Sequence, residues 1–206
     1  MELREAVAGR RSVRKFKPDP VSREVILDVL QKANMAPSAG NRQPWEFIVL
    51  GKKDLQEILE ITKIAFKERF GSMEQPQLDN MLSRLSLPDE DRYTGLRRFY
   101  STLGDAPVVI IVCSERGKDD FASLMNYSGT AAAVQTLLLA AWEHGLGTCW
   151  MMGPLQKKGR QLKELLSISP DKEIVAIIPL GIPEVIPEKP PKEAVETKIR
   201  WDKQSK

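Results

Sequence analysis

"YSGTAAAVQTLLLAAWEHGLGTCWMMG", Tyr127–Gly153, changes character part-way along. Up to Glu143 it is small and apolar with no proline, and this predicts a long helix over Tyr127–Glu143. Gly129, Thr130, Ala131, Ala132 and Ala133 keep the first half of that helix slim, so another backbone or a ligand can lie close against it. "GLGT" then turns the chain, and the residues that follow read as a short strand. A long helix that feeds a strand through a glycine turn belongs to a mixed helix–strand fold, whose other layers must come from the flanking sequence.

They do. Upstream, Pro107 introduces "VVIIVC", the best buried-strand candidate in the chain. Downstream, "LQKKGRQLKELLSI" reads as a helix and "KEIVAIIPLG" as a strand. Nearer the start, Leu3, Ala6 and Val7 suggest a short helix ending near Gly9. "SREVILDVLQKA" is a second helix, with Ser22 as N-cap and Pro37 as its stop. "WEFIVL" is a strand, and Leu55, Ile58, Leu59, Thr62 and Phe66 then restore a helical period. Residues 71–100 are polar and dotted with methionine, an excursion expected to cover an opening rather than enter the core. Phe70, Met73, Tyr93 and Phe99 are its candidate apolar lid contacts. Residues 182–206 contain Pro183, Pro187, Pro190 and Pro191 among charges, so the tail is expected to be extended. It is also a candidate to pack on a second subunit. The sum is one α+β domain over residues 1–206, with long helices around about four strands.

With 206 residues, 42% hydrophobic and 29% charged, the composition is that of a globular domain with a sizeable core. The most apolar runs are too short for a membrane span, and nothing resembles a signal peptide, so a cytoplasmic location is expected. Cys113 and Cys149 lack metal-binding spacing and read as buried thiols. His144 is the only histidine, which excludes a multi-histidine metal site. In "WEHGLG" it suits the end of a helix, where a polar or cationic residue faces the last carbonyls. The net charge of +3 is mild, and no nucleic-acid reading module is present.

Two stretches carry chemistry. In "GRRSVRKF", Arg10, Arg11, Ser12 and Arg14 gather three guanidinium groups and a hydroxyl, a donor set that suits a phosphate. A solvated charge run explains the same letters. In "MAPSAGNRQPWEF", Ser38, Asn41 and Gln43 offer donors and acceptors suited to the edge of a heteroaromatic ring, and Gly40 permits unusual backbone angles. A helix stop and turn accounts for Pro37 and Gly40, but less well for the polar run. No G-x-G-x-x-G fingerprint follows an early strand, and there is no P-loop. "GLGT" follows a helix and precedes a strand, the reverse of the dinucleotide context.

In order along the chain, "RRSVRKF", "APSAGNRQPWEFIVL", "DAPVVIIV", "GTAAAVQTLLLAAWEHGLGTCWMMG" and "IIPLGIPEVIP" resemble the successive signatures of the nitroreductase family of flavin enzymes. The resemblance covers nearly all the chain except the excursion. It implies an α+β, nitroreductase-like FMN-binding fold with a central, mostly antiparallel sheet, flanking helices and an intertwined homodimer. It also implies two FMN sites at the subunit interface. Arg10, Arg11, Ser12 and Arg14 match the motif for the flavin phosphate and ribityl chain. Pro37, Ser38, Asn41 and Gln43 match the loop that reaches the FMN of the other subunit. Leu146, Gly147 and Thr148 match a segment near the ring, and Lys192, with Lys189 as second choice, the basic residue that returns to the phosphate. Where the family often has an acidic residue before the small-residue helix, this chain has "MNYSGTAAA".

The implied activity is an NAD(P)H-dependent FMN oxidoreductase. NADH or NADPH reduces the flavin and leaves, and a nitroaromatic, quinone or similar small-molecule acceptor is then reduced on the same ring face. No side chain is singled out as a catalytic acid or base, because a flavin carries its own redox chemistry. Dehalogenation, flavin fragmentation and flavin binding without turnover are the alternatives within the resemblance.

Overall fold

The computed structural model describes residues 1–85 and 91–202. Among them, Trp45–Gly51 (β1), Val108–Glu115 (β2), Gly147–Thr148 (β3) and Lys172–Gly181 (β4) form one antiparallel sheet in the order β1-β2-β4-β3. The helices are Leu3–Gly9 (α1), Arg23–Ala33 (α2), Gln56–Phe70 (α3), Gln75–Ser83 (α4), Arg92–Thr102 (α5), Asp120–Glu143 (α6) and Leu155–Leu165 (α7).

The unbroken apolar run of β2 follows from burial on both faces. Side chains alternate across a strand. Val109, Ile111 and Cys113 therefore enter a cluster with Ile174 and Ile177 of β4 and with residues of α3, α4 and α5. Val108, Ile110 and Val112 face the other way, into a cluster with Ile178, Leu180 and residues of α2 and α6. The pairing of β2 with β4 shifts register between Val112 and Cys113, next to the end of the strand. No described helix is long and apolar enough to cross a membrane.

Two boundaries differ from the sequence reading, and a third holds without the proline expected to set it. The long helix begins at Asp120, seven residues before Tyr127, because the Asp119 carboxylate caps it by accepting from the Ala122 N–H at 2.7 Å. The second helix ends at Ala33, well before Pro37, as the Asn34 N–H closes the last turn on the Leu30 carbonyl. The strand after the glycine turn is only Gly147–Thr148, and beyond it Met151 makes a lone bridge to Ile177.

The excursion, expected to stay outside the core, enters it. Phe70, Leu78, Leu82, Leu96, Phe99 and Tyr100 are all buried in the larger cluster. Phe66 anchors them, with ring centroids 4.8 Å from Phe70, 5.5 Å from Tyr93 and 5.4 Å from Tyr100. Phe70 and Phe99 are thus core residues rather than lid contacts, while Met73 and Tyr93 are half-buried against the same cluster. Residues 86–90 of the excursion lie outside the described residues.

A buried hydroxyl fastens this layer. Thr62 on α3 donates to the Tyr100 carbonyl at 2.6 Å, at the end of α5. Thr62→Val keeps the shape and removes the donor, so it should cost about 1–3 kcal/mol. At this chain length, thermal unfolding should register a Tm lower by roughly 2–4 °C per kcal/mol. An unchanged Tm would mean that the bond contributes nothing.

Candidate cofactor site

After Gly9 the chain leaves α1 in an extended conformation, and residues 12–13 pair with the open edge of β3. Ser12 bridges Thr148 in parallel, and the Val13 N–H donates to the Thr148 carbonyl at 2.9 Å. The Phe16 N–H donates to the Gly104 carbonyl at 2.9 Å, and the Lys17 N–H to that of Ile182 at 2.9 Å. Val13 and Phe16 are buried, while Arg10, Arg11, Ser12 and Arg14 stay partly exposed.

Those side chains meet a distant part of the sequence. Arg10, Arg11, Ser12 and Arg14 line a cavity of about 300 Å³ together with Lys189 and Lys192 of the tail. Both tail lysines proposed from sequence therefore come to the N-terminal basic motif. Arg11 is braced by donating from Nη1 to the carbonyls of Ala8 (2.8 Å) and Arg10 (2.9 Å). Arg14 donates to the Ser12 carbonyl at 3.2 Å, and its guanidinium carbon lies 5.9 Å from the centre of the Phe99 ring. Cation–π contact of this kind orients the guanidinium without neutralising it. Arg84, from the end of α4, lines the same cavity and was missed from sequence. Its only signal was an arginine in a region without a recognisable motif.

Leu146, Gly147 and Thr148 do not line this cavity. Leu146 is buried among α2 and α6 side chains, and the other two spend their backbones on β4 and on residues 12–13. A Cβ on Gly147 would lie 2.6 Å from Val13 Cγ2, so the glycine is what lets the basic segment pack here. Gly147 and Thr148 thus pack against the basic segment.

The polar loop sits elsewhere. Gly40, Asn41 and Gln43 all have positive φ, at 60°, 53° and 50°. For Asn and Gln this backbone region is uncommon and is held by local hydrogen bonds. The Gln43 N–H donates to Ser38 Oγ at 2.9 Å, and Gln43 Nε2 donates to the Asn41 carbonyl at 3.3 Å. Ser38 Oγ thereby accepts, and its own hydrogen is left to donate outward. The base of the loop is closed by Trp45, whose indole N–H donates to Asn34 Oδ1 at 2.9 Å.

The loop lies on the slim half of α6. A Cβ on Gly129 would stand 3.1 Å from the Cβ of Ser38, which explains the glycine. Pro37, Ser38 and Ala39 border an open apolar depression of about 420 Å³ with Leu124, Met125 and Ala132. This depression shares no lining residue with the basic cavity. Within one chain, then, the structure brings together the phosphate-type residues but keeps them apart from the loop.

The remaining chemistry-bearing residues are structural. His144 closes α6, and its Nε2 is 2.6 Å from Asp28 Oδ2 on α2. Cys113 and Cys149 are buried; burial pushes the Cys113 thiol up to about 11 and raises that of Cys149 as well.

Three known proteins frame this geometry. The Bacillus subtilis (strain 168) chain YfhC, named as an NAD(P)H nitroreductase, is 31% identical over 186 residues, which cover 90% of this chain and 87% of that one. The 5,6-dimethylbenzimidazole synthase of Rhodobacter capsulatus is 29% identical over 91% of this chain and 86% of its own length. A crystal structure of oxidised iodotyrosine deiodinase, bound to FMN and 3-iodo-L-tyrosine, superposes with a TM-score of 0.79 at 26% identity. It covers 98% of this chain and 99% of that one. The family model described as "Nitroreductase family" matches residues 7–182, and the chain belongs to that family.

Proposed function

We propose that the protein is an FMN-dependent oxidoreductase that works as a homodimer and passes electrons from NADH or NADPH to a conjugated acceptor such as a nitroaromatic or quinone. One observation carries the reading. Two ends of the chain, remote in sequence, converge on a cavity of about 300 Å³ whose donors match a phosphomonoester. Arginine offers paired N–H groups to phosphate oxygens, lysine a point charge, and serine a short hydroxyl donor. Arg10, Arg11, Ser12, Arg14 and Lys192 would hold the phosphate end of FMN, with Lys189 at the rim.

Pro37, Ser38, Asn41 and Gln43 supply the other half. Their donors and acceptors suit the edge of the flavin ring, and the neighbouring apolar depression suits its face. Their separation from the basic cavity in one chain supports a site assembled from two subunits. The surface supports it too: Phe121 and Leu124 on α6, and Ile186, Val195 and Trp201 in the tail, expose large apolar side chains. Tail residues 182–202 would then pack on the partner, and residues 71–85 and 91–100 would border the acceptor's entrance. Once bound, FMN supplies hydride and electron transfer at its ring. The chain's part is to grip the phosphate, orient the ring and exclude water around it.

A second reading, reductive dehalogenation, is favoured by the likeness to the deiodinase structure. It uses the same cofactor and differs only in the acceptor.

The purified protein should be yellow, with a flavin spectrum. Under anaerobic titration the colour should bleach with NADH or NADPH and return on adding a nitroaromatic or quinone. A halogenated tyrosine restoring the colour where nitroaromatics do not would select the second reading. A colourless protein that neither takes up FMN nor bleaches would refute both.

A further inference from the structure

Arg84 belongs to none of the segments that carry the family resemblance, yet it lines the basic cavity with Arg10, Arg11, Arg14, Lys189 and Lys192. Its position is built. Leu82 is buried and Leu85 packs against the core, one on each side of it. The Arg84 N–H donates to the Met81 carbonyl at 3.2 Å, and that of Leu85 to the Leu82 carbonyl at 3.0 Å. The guanidinium spends one donor of Nη2 on Asn80 Oδ1 at 3.2 Å, and the planar fork offers five. Among the described residues Arg84 has no ion pair.

An arginine at a helix C-terminus is favoured by the helix dipole alone. That explains its presence at the end of α4, but not its place in a cavity with five other cations. The lining contains one carboxylate, Glu188. Like charges gathered this closely repel, and the arrangement is relieved when a multiply charged anion enters.

We infer that Arg84 is a phosphate-binding residue of this cavity, so that the excursion grips the cofactor by its phosphate. The inference rests on the FMN reading above and adds a consequence: the site tells FMN from riboflavin, which lacks the phosphate, partly through α4. Unlike the N-terminal motif, α4 lies in the excursion, so occupancy of the phosphate site is transmitted to that segment.

The test uses flavin-free preparations of the wild type, Arg84→Ala and Arg84→Lys, titrated with FMN and separately with riboflavin. Arg84→Ala should weaken FMN binding about tenfold or more, as expected for a lost charge-assisted hydrogen bond. Riboflavin affinity should not change, and Arg84→Lys should fall between the two. Amide exchange over residues 75–85 should slow more with FMN than with riboflavin, and the difference should vanish in Arg84→Ala. Wild-type FMN affinity in Arg84→Ala, or an equal loss for both flavins, would overturn the inference. A wild type that takes up neither flavin overturns the FMN reading itself, before any variant is compared.

Discussion

Gly147→Ala should lose both stability and FMN, because the added methyl meets Val13. The new Cβ would lie 2.6 Å from Cγ2, 2.7 Å from Cβ and 2.9 Å from Cγ1 of Val13. Val13 is fully buried and cannot swing into solvent. The strain therefore passes to the backbone of residues 12–14, which is tied to Thr148 by the 2.9 Å bond from the Val13 N–H. Overpacking of this kind costs about 1–3 kcal/mol, and contact with a β-branched neighbour on a paired strand favours the upper end. A drop of roughly 2–4 °C in Tm per kcal/mol should accompany a clear loss of FMN, since Ser12 and Arg14 move with Val13. Gly159→Ala is the control. It sits within α7 with nothing inside 4 Å of the added Cβ, and Gly to Ala in a helix stabilises by about 0.5–1 kcal/mol. If Gly147→Ala matches the wild type in Tm and flavin content, the packing argument fails.

The second large effect concerns ownership of the site. Arg10→Ala removes a cation from the basic cavity, and Asn41→Ala removes a polar group from the loop. Each variant alone should lose flavin by about 10–100-fold in affinity, as one or two strong hydrogen bonds would. If each site takes its cavity from one subunit and its loop from the other, a mixed dimer contains one site with both defects and one with none. Co-expression should then restore flavin to about a quarter of all sites, given random pairing in a two-fold dimer. Loops and cavities from the same chain would restore none, because every site would keep its own lesion. Flavin content per chain, measured on the co-purified mixture, separates the two. Absence of any recovery would refute assembly across subunits.

What sequence revealed and what it hid have physical reasons. β2 was legible because six consecutive apolar and β-branched residues have few other fates. The N-cap at Ser22 was legible because a single hydroxyl makes it, accepting from the Val25 N–H at 3.3 Å. The start of α6 was missed although Asp119 and Asp120 announce it, since its first turns carry exposed Phe121 and Leu124 and no clean apolar stripe. The core role of the excursion was hidden for a related reason. Its apolar residues are spread thinly through polar sequence, and Leu78, Leu82 and Leu96 enter the core beside Tyr100, whose large ring meets Phe66 and Phe70. At the site, residue type identified the phosphate donors, while position alone distinguishes Arg84 from the other arginines. Leu146, Gly147 and Thr148 were placed near the cofactor by motif. In the structure Gly147 and Thr148 also brace residues 12–13, a relation that exists only across more than a hundred residues of chain.

That span bears on how the protein is made. The segment carrying Arg10–Arg14 is made before its backbone partners, which are Gly104, Thr148, Ile182 and Glu184, the last donating to the Lys15 carbonyl at 3.0 Å. Contacts of such separation form late, because the intervening chain must exist and close its loop first. For most of translation the nascent polypeptide has three arginines in hand and nowhere to seat them. On the FMN reading, cofactor loading would wait until the chain has been made past Glu184, which supplies the last of these contacts.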